Sequence, residues 1–224
     1  MSCELCATDM ECHCAQAIPT GLKVSGTYQQ YITSPARYTS RIPDSVDDCA
    51  AGPIMCSGST MFRAIARAMG MRVIGIDAGP EKEKICLELG CEAFIDLKKS
   101  SNLSGEVRKI AEGKGAHGVF VTASSSAGYK VAPRMVRVGG VVVCVGMPPS
   151  GTVVAGDDPM YLILNNIKVV GSLTGSRQDT ANALSMAARG LLKPIYELYD
   201  IVELPGAVQR LMQGKVNGRR VVRF

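Results

Sequence analysis

No apolar run in this sequence approaches the ~20 residues that carry a helix across a bilayer, and a membrane-spanning segment is not expected. There is no stripe of basic residues interleaved with aromatics, and a net charge of +5 is mild, so nucleic acid is not an expected partner either. The N-terminus holds acids and cysteines where a secretory leader would place a basic and then an apolar stretch. A cytoplasmic location is therefore expected. Repeats and low-complexity segments are absent. Histidine is scarce, with His13 and His117 the only two.

What is present fits a soluble globular protein: 46% hydrophobic and 20% charged residues, in a chain of 224, which is enough for one large domain or two small ones. The nine cysteines are unevenly placed, with Cys3, Cys6, Cys12 and Cys14 in the first stretch and Cys49, Cys56, Cys86, Cys91 and Cys144 scattered among apolar neighbours. Close-spaced thiols without a leader read as metal ligands before disulfides, whereas the scattered ones read as small buried hydrophobes.

Along the chain the texture changes once. Up to about Ser59, turn formers (Pro19, Gly21, Gly26, Pro35, Pro43, Pro53) break any helical period, and short strands are expected at Thr27–Ile32 and Tyr38–Ile42. Thr60–Met69 reads as helix. Beyond it short apolar runs alternate with single helices. Strands are expected at Arg72–Ile76, Ala93–Ile95, Gly118–Ala123, Val141–Val145 and Ile167–Leu173, and helices at Pro80–Leu89, Glu106–Glu112 and Ala127–Val136. All-apolar strands joined by crossover helices make a parallel, doubly wound α/β sheet. A helix after Asp179 with a stripe of Ala181, Leu184, Ala188 and Leu191, a strand at Ile195–Val202, a helix at Pro205–Met212 and a strand at Arg219–Phe224 complete the chain.

In such sheets an acidic residue at the carboxyl end of a strand holds the ribose hydroxyls of a dinucleotide and disfavours a 2′-phosphate. Asp77 stands in that place, favouring NAD over NADP, although a turn or helix-capping aspartate would look the same. The glycine-rich turn that should precede it, whose amides bind pyrophosphate, is missing. The one literal match, Gly113-Lys-Gly-Ala-His-Gly118, comes before a strand and reads as a helix-ending turn.

Six segments carry a family resemblance: Gly26-Thr-Tyr-Gln-Gln-Tyr31, Pro53-Ile-Met-Cys-Ser-Gly58, Ala68-Met-Gly-Met-Arg-Val-Ile-Gly-Ile-Asp-Ala-Gly79, Gly115-Ala-His-Gly118, Val145-Gly-Met-Pro148 and Asn217-Gly-Arg-Arg-Val-Val222. In order and spacing they resemble the fungal zinc-dependent alcohol dehydrogenases of the medium-chain dehydrogenase/reductase superfamily. The resemblance implies an incomplete doubly wound (Rossmann-like) parallel sheet plus the remnant of a mostly β catalytic domain. It divides the chain into a catalytic-domain remnant with a cysteine-rich zinc lobe (1–59), a truncated NAD-binding domain (60–175) and a return to the catalytic domain (176–224). Two family segments have no counterpart. One lies before the cysteine cluster and holds catalytic zinc ligands and the proton relay. The other, at the join of Ala64 and Ile65, holds the first sheet strand and the phosphate loop.

By the same resemblance Cys3, Cys6 and Cys14 match three of four structural-zinc cysteines, with Cys12 or His13 available as a fourth ligand. The alternative is a set of exposed thiols that bind metal loosely. Cys56 matches one ligand of the catalytic zinc, and neither histidine sits at a ligand position. Asp77 and Lys82 would meet the adenosine ribose, Phe94 the adenine end, Val145, Met147, Ser172 and Thr174 the nicotinamide, and Arg219 the pyrophosphate. The implied cofactors are NAD and zinc, the implied substrate a small alcohol or aldehyde, and the family forms homo-oligomers through its cofactor domains. The implied reaction is NAD-dependent interconversion of a primary alcohol and its aldehyde, with this chain expected to be inactive as it stands. The alternative is a non-catalytic relative, or an incomplete gene product, with at most weak nucleotide or partner binding.

Overall fold

The computed structural model describes residues 3–64, 71–213 and 216–223. The chain forms two compact units, one from Met1–Arg63 together with Leu173–Phe224, the other from Ala64–Ser172.

The first unit opens with the short helix α1 (Glu4–Ala7) and a single 3-10 turn, Glu11–His13. Helix α2 (Asp48–Pro53) starts at Asp47, whose carboxylate accepts the Cys49 N–H, and passes through a π-helical turn, Ile54–Gly58, into α3 (Ser59–Ala64). The strands expected at Thr27–Ile32 and Tyr38–Ile42 do not form. A strand persists only where another segment takes up its backbone groups, and no described segment pairs with either. Tyr28 and Tyr31 stand out to solvent, and the Gln29 N–H turns back to the Thr27 carbonyl. The helix read over Thr60–Met69 is borne out as far as Ala64, and residues 65–69 lie outside the described ones.

The second unit alternates as expected. Strand β1 (Ile74–Asp77) leads to helix α4 (Pro80–Glu88), with Pro80 at its first position. Then come β2 (Ala93–Asp96), α5 (Leu103–Ile110), β3 (Ala116–Val121), α6 (Ser126–Met135) and β4 (Val136–Cys144). A helix the sequence reading missed, α7 (Pro159–Leu164), is capped by Asp158 and precedes β5 (Lys168–Gly171). Every strand pair is parallel. The strands do not make one sheet: β1 pairs with β2, and β3, β4 and β5 form a separate three-stranded sheet in that order. A doubly wound sheet runs 3-2-1-4-5-6. Deleting its first strand leaves β2-β1 on one side and β3-β4-β5 on the other, which is the arrangement seen among the described residues. Both pieces share one core, built on Ile95, Val107, Val121, Tyr129, Ala132, Met135, Val136 and Val142.

The chain then returns to the first unit with α8 (Arg177–Ala188), β6 (Tyr196–Asp200), α9 (Leu204–Met212) and β7 (Arg219–Arg223), β6 and β7 pairing in parallel. The face that α8 buries is Ala183 and Leu184, with Ala187 and Ala188 beside them, against Val46, Ala51 and Ile54. The expected stripe was half right: Leu184 and Ala188 belong to it, but Ala181 and Leu191 are exposed.

Candidate functional site

Three groups of candidate residues can be followed in the structure. The first is the cysteine lobe. Residues 3–14 fold back through α1 and the 3-10 turn, with the Met10 N–H on the Leu5 carbonyl and the Cys14 N–H on the Glu11 carbonyl. This brings Cys3 Sγ within 3.6 Å of Cys6 Sγ and 3.7 Å of Cys14 Sγ. Zinc held tetrahedrally by thiolates at about 2.3 Å sets its sulfurs about 3.8 Å apart; both Cys3 separations match this, and all three sulfurs lie within 4.8 Å of one another. Burial and the two neighbouring thiols push the Cys6 thiol up to about 11. The Cys6 N–H, with the Cys6 and Cys14 thiols, holds Cys3 below its usual value. Neither Cys12 nor His13 joins the cluster, so the structure does not supply the fourth ligand from them. Cys14 is buried, and the lobe is tied to α8.

The second is Cys56, in the π-helical turn. It is exposed and belongs to no group of three or more metal-ligating side chains among the described residues. Ser59 in the next turn donates its hydroxyl to the Met55 and Cys56 carbonyls, fixing the backbone there.

The third is the carboxyl edge of the parallel strands, where α/β sheets bind ligands. Asp77 closes β1. Its Oδ1 accepts Lys82 Nζ at 2.8 Å and the Ala78 N–H at 2.8 Å. The carboxylate is thus both a turn acceptor and a half-exposed ion pair. Phe94 pairs across from Gly75, its ring where a Gly75 side chain would lie, beside Cys86 of α4. On the other sheet, the Val145 and Gly146 N–H groups both bond the Val121 carbonyl, and Met147 projects into solvent. Ser172 follows β5, its N–H on the Cys144 carbonyl and its hydroxyl buried without a partner. An unpaired buried hydroxyl costs about 1–3 kcal/mol unless something fills its bonding capacity. This orphan fits a polar ligand group at the edge of β4 and β5. Thr174 and Arg219, the other two cofactor candidates, are exposed residues of the first unit.

The glycine match at Gly113–Gly118 is a helix-ending turn as expected. Glu112, Gly113 and Gly115 all have positive φ, and the Gly113 N–H returns to the Arg108 carbonyl. A side chain on Gly115 would strike the Met135 carbonyl at 2.9 Å, so this glycine serves the packing of α6 and β4.

Sequence reasoning missed Tyr129. Its ring is buried in the core and its hydroxyl donates to the Gly146 carbonyl, holding the loop after β4 from below. The signal was a single aromatic on the buried face of α6.

Comparison with known proteins places this arrangement. A family model described as zinc-binding dehydrogenase matches residues 59–189. Alcohol dehydrogenase 1 of Emericella nidulans is 32% identical over 248 aligned positions, which cover 98% of this chain and 70% of the relative. The alcohol dehydrogenase of Schizosaccharomyces pombe is also 32% identical, with 99% of this chain and 70% of the relative covered. An alignment of 248 positions exceeds the 224 residues available, so the relative carries residues inside the matched span that this chain lacks. Among solved structures, the alcohol dehydrogenase of the archaeon Aeropyrum pernix superposes with a TM-score of 0.87 at 18% identity, over 99% of this chain and 72% of that one. The chain belongs to the zinc-binding dehydrogenase family, an oxidoreductase family whose fold it keeps on either side of a divided sheet.

Proposed function

We propose that this chain is a dehydrogenase frame that binds NAD weakly at both ends of its site and, as it stands, does not turn over alcohols. The observation that carries the cofactor half is the buried, unpartnered Ser172 hydroxyl beside the loop of Val145 and Met147. Asp77 with Lys82 offers the ribose contact at the carboxyl end of β1, with Phe94 toward the adenine. Thr174 would complete the nicotinamide side and Arg219 the pyrophosphate contact. Between the ends, a helix N-terminus following the first strand would normally hold the pyrophosphate, and the described strands leave that position open. Binding is therefore weak.

In this family NAD supplies the hydride acceptor, and a catalytic zinc supplies a Lewis acid that lowers the pKa of an alcohol oxygen. Cys56 is the residue that would touch that zinc. One exposed thiol does not hold a divalent ion, and this is the reason to place turnover outside the reach of the described residues. Cys3, Cys6 and Cys14 would hold the structural zinc. The substrate class, were the chain active, is a small primary alcohol or its aldehyde.

NADH fluorescence titration of the zinc-replete protein is expected to give a Kd weaker than about 0.1 mM. Asp77→Ala and Ser172→Ala should each weaken it further by several-fold. NADH formation from ethanol or longer primary alcohols is expected to stay at background. Turnover abolished by Cys56→Ala would overturn the inactive reading, and no binding at any NADH concentration would overturn the cofactor reading.

A further inference from the structure

The cysteine lobe is more than a metal pocket, because the acids within it reach the start of another helix. Asp9, the left-handed residue between α1 and the 3-10 turn (φ 61), presents Oδ2 at 2.8 Å to the Ser176 hydroxyl. Glu11, the first residue of that turn, takes the Arg177 N–H at 2.7 Å and its Nε at 3.3 Å on Oε1. Both acids lie between Cys6 and Cys14 in sequence, so the loop that would wrap a metal also supplies these contacts. Their targets are the N-cap and first residue of α8. Ser176 is buried and already forms a reciprocal cap with Asp179. Arg177 is further held by the Arg37 carbonyl at 2.8 Å and lies over the Tyr38 ring.

Just before them, Gly175 packs so tightly that a side chain would meet the Ser59 carbonyl at 2.7 Å. Ser59 in turn holds the Cys56 carbonyl. A continuous run of contacts therefore leads from the cysteine lobe through Ser176 and Gly175 to the helical turn of Cys56. Thr174 directly precedes Gly175 in the chain.

We propose that Asp9 and Glu11 are positioning residues, through which metal capture by Cys3, Cys6 and Cys14 fixes the first turn of α8 and the loop carrying Thr174. The link to cofactor binding rests on the assignment of Thr174 to the nicotinamide side; the link to α8 does not. A metal that draws the three sulfurs together orders the loop between them. Ordering that loop holds two carboxylates against a helix start, Asp9 accepting the Ser176 hydroxyl and Glu11 the Arg177 N–H. Coupling of this kind is reciprocal, so the same contacts must strengthen metal binding.

Hydrogen exchange of the full chain, zinc-loaded and after EDTA treatment, tests the proposal without any cofactor. Zinc is expected to slow amide exchange over residues 174–180 by about tenfold or more. In the double variant Asp9→Gly/Glu11→Ala the zinc effect there should fall below about twofold. Glycine suits the positive φ at position 9, and the Ser176–Asp179 cap is left intact. The pair Asp9→Asn/Glu11→Gln, which retains acceptor oxygens, should recover at least half of the wild-type response. Circular dichroism establishes that each variant folds; if the truncated pair does not, the conservative pair and the wild-type zinc response still decide.

A wild-type response absent from residues 174–180 overturns the proposal, as does full retention in the truncated pair or no recovery in the conservative one. NADH titration with and without zinc is the separate arm. Zinc-dependent affinity supports the extension to Thr174, affinity indifferent to zinc removes it, and no NADH binding at all removes the cofactor assignment while the exchange result stands.

Discussion

Replacing Gly146 with alanine is expected to destabilise the second unit by about 3 kcal/mol or more, the upper part of the range for overpacking. A Cβ there would strike the Ala123 carbonyl oxygen and lie 2.7 Å from that of Thr122. Both are backbone atoms, so no side-chain rotation relieves the clash. Nor can Gly146 retreat. Its N–H is bonded to the Val121 carbonyl at 2.8 Å, and its own carbonyl accepts the Tyr129 hydroxyl from the core side. Urea unfolding should show a midpoint lower by about 1–2 M. Gly171→Ala is the control within the same unit, since a side chain there meets nothing within 4 Å. Its expected effect is about 0.5 kcal/mol at most. Equal midpoints for the two variants would sink the argument.

The second large effect concerns the cysteine lobe. Cys14→Ser is expected to weaken zinc binding by at least about a hundredfold, because a buried ligand of the cluster is removed and a hydroxyl is a poor zinc donor. Competition with a chromophoric chelator reads this directly. The pH dependence follows from the raised thiol. Cys6, at about 11, is protonated at neutral pH and must lose its proton to bind. Apparent affinity should therefore rise about tenfold per pH unit for each proton displaced, across pH 6 to 8. The metal-free protein behaves oppositely. A folded-state pKa above the ordinary 9.0 favours folding below that value, and this contribution is lost as pH rises toward 11. Zinc affinity that ignores pH would remove the thiolates from the site.

The second unit was largely legible because parallel strands joined by crossover helices leave short apolar runs, clearest at Val141–Cys144 and Ile74–Ile76, while β5 shows only Val169 and Val170 between Lys168 and Gly171. Even the break in the sheet could be read, from a strand and glycine turn that the sequence does not contain. The first unit was less legible. Thr27–Ile32 has the residue types of a strand, but strand formation depends on a partner segment, and local composition carries no information about partners. Helix α7 was missed because Met160, Ile163 and Leu164 are all exposed, so its apolar residues mark no buried face. On α8, Ala183 rather than Ala181 faces the core, a choice set by how the helix lies on Ala51 and Ile54. The three clustered cysteines were visible as a spacing. The contacts from Asp9 and Glu11 were not, since they join positions more than 160 residues apart.

That the first unit is assembled from both ends of the chain has a consequence for how the protein acquires its structure. Its core joins Val46, Ala51 and Ile54 to Ala183 and Leu184, across the whole of Ala64–Ser172. Closing so long an unstructured loop costs roughly 4 kcal/mol in chain entropy before any contact repays it. The second unit is continuous in sequence and meets no such toll. Connectivity therefore leads us to expect the sheet-bearing middle to form first, and the cysteine lobe, α8 and the β6–β7 pair only afterwards.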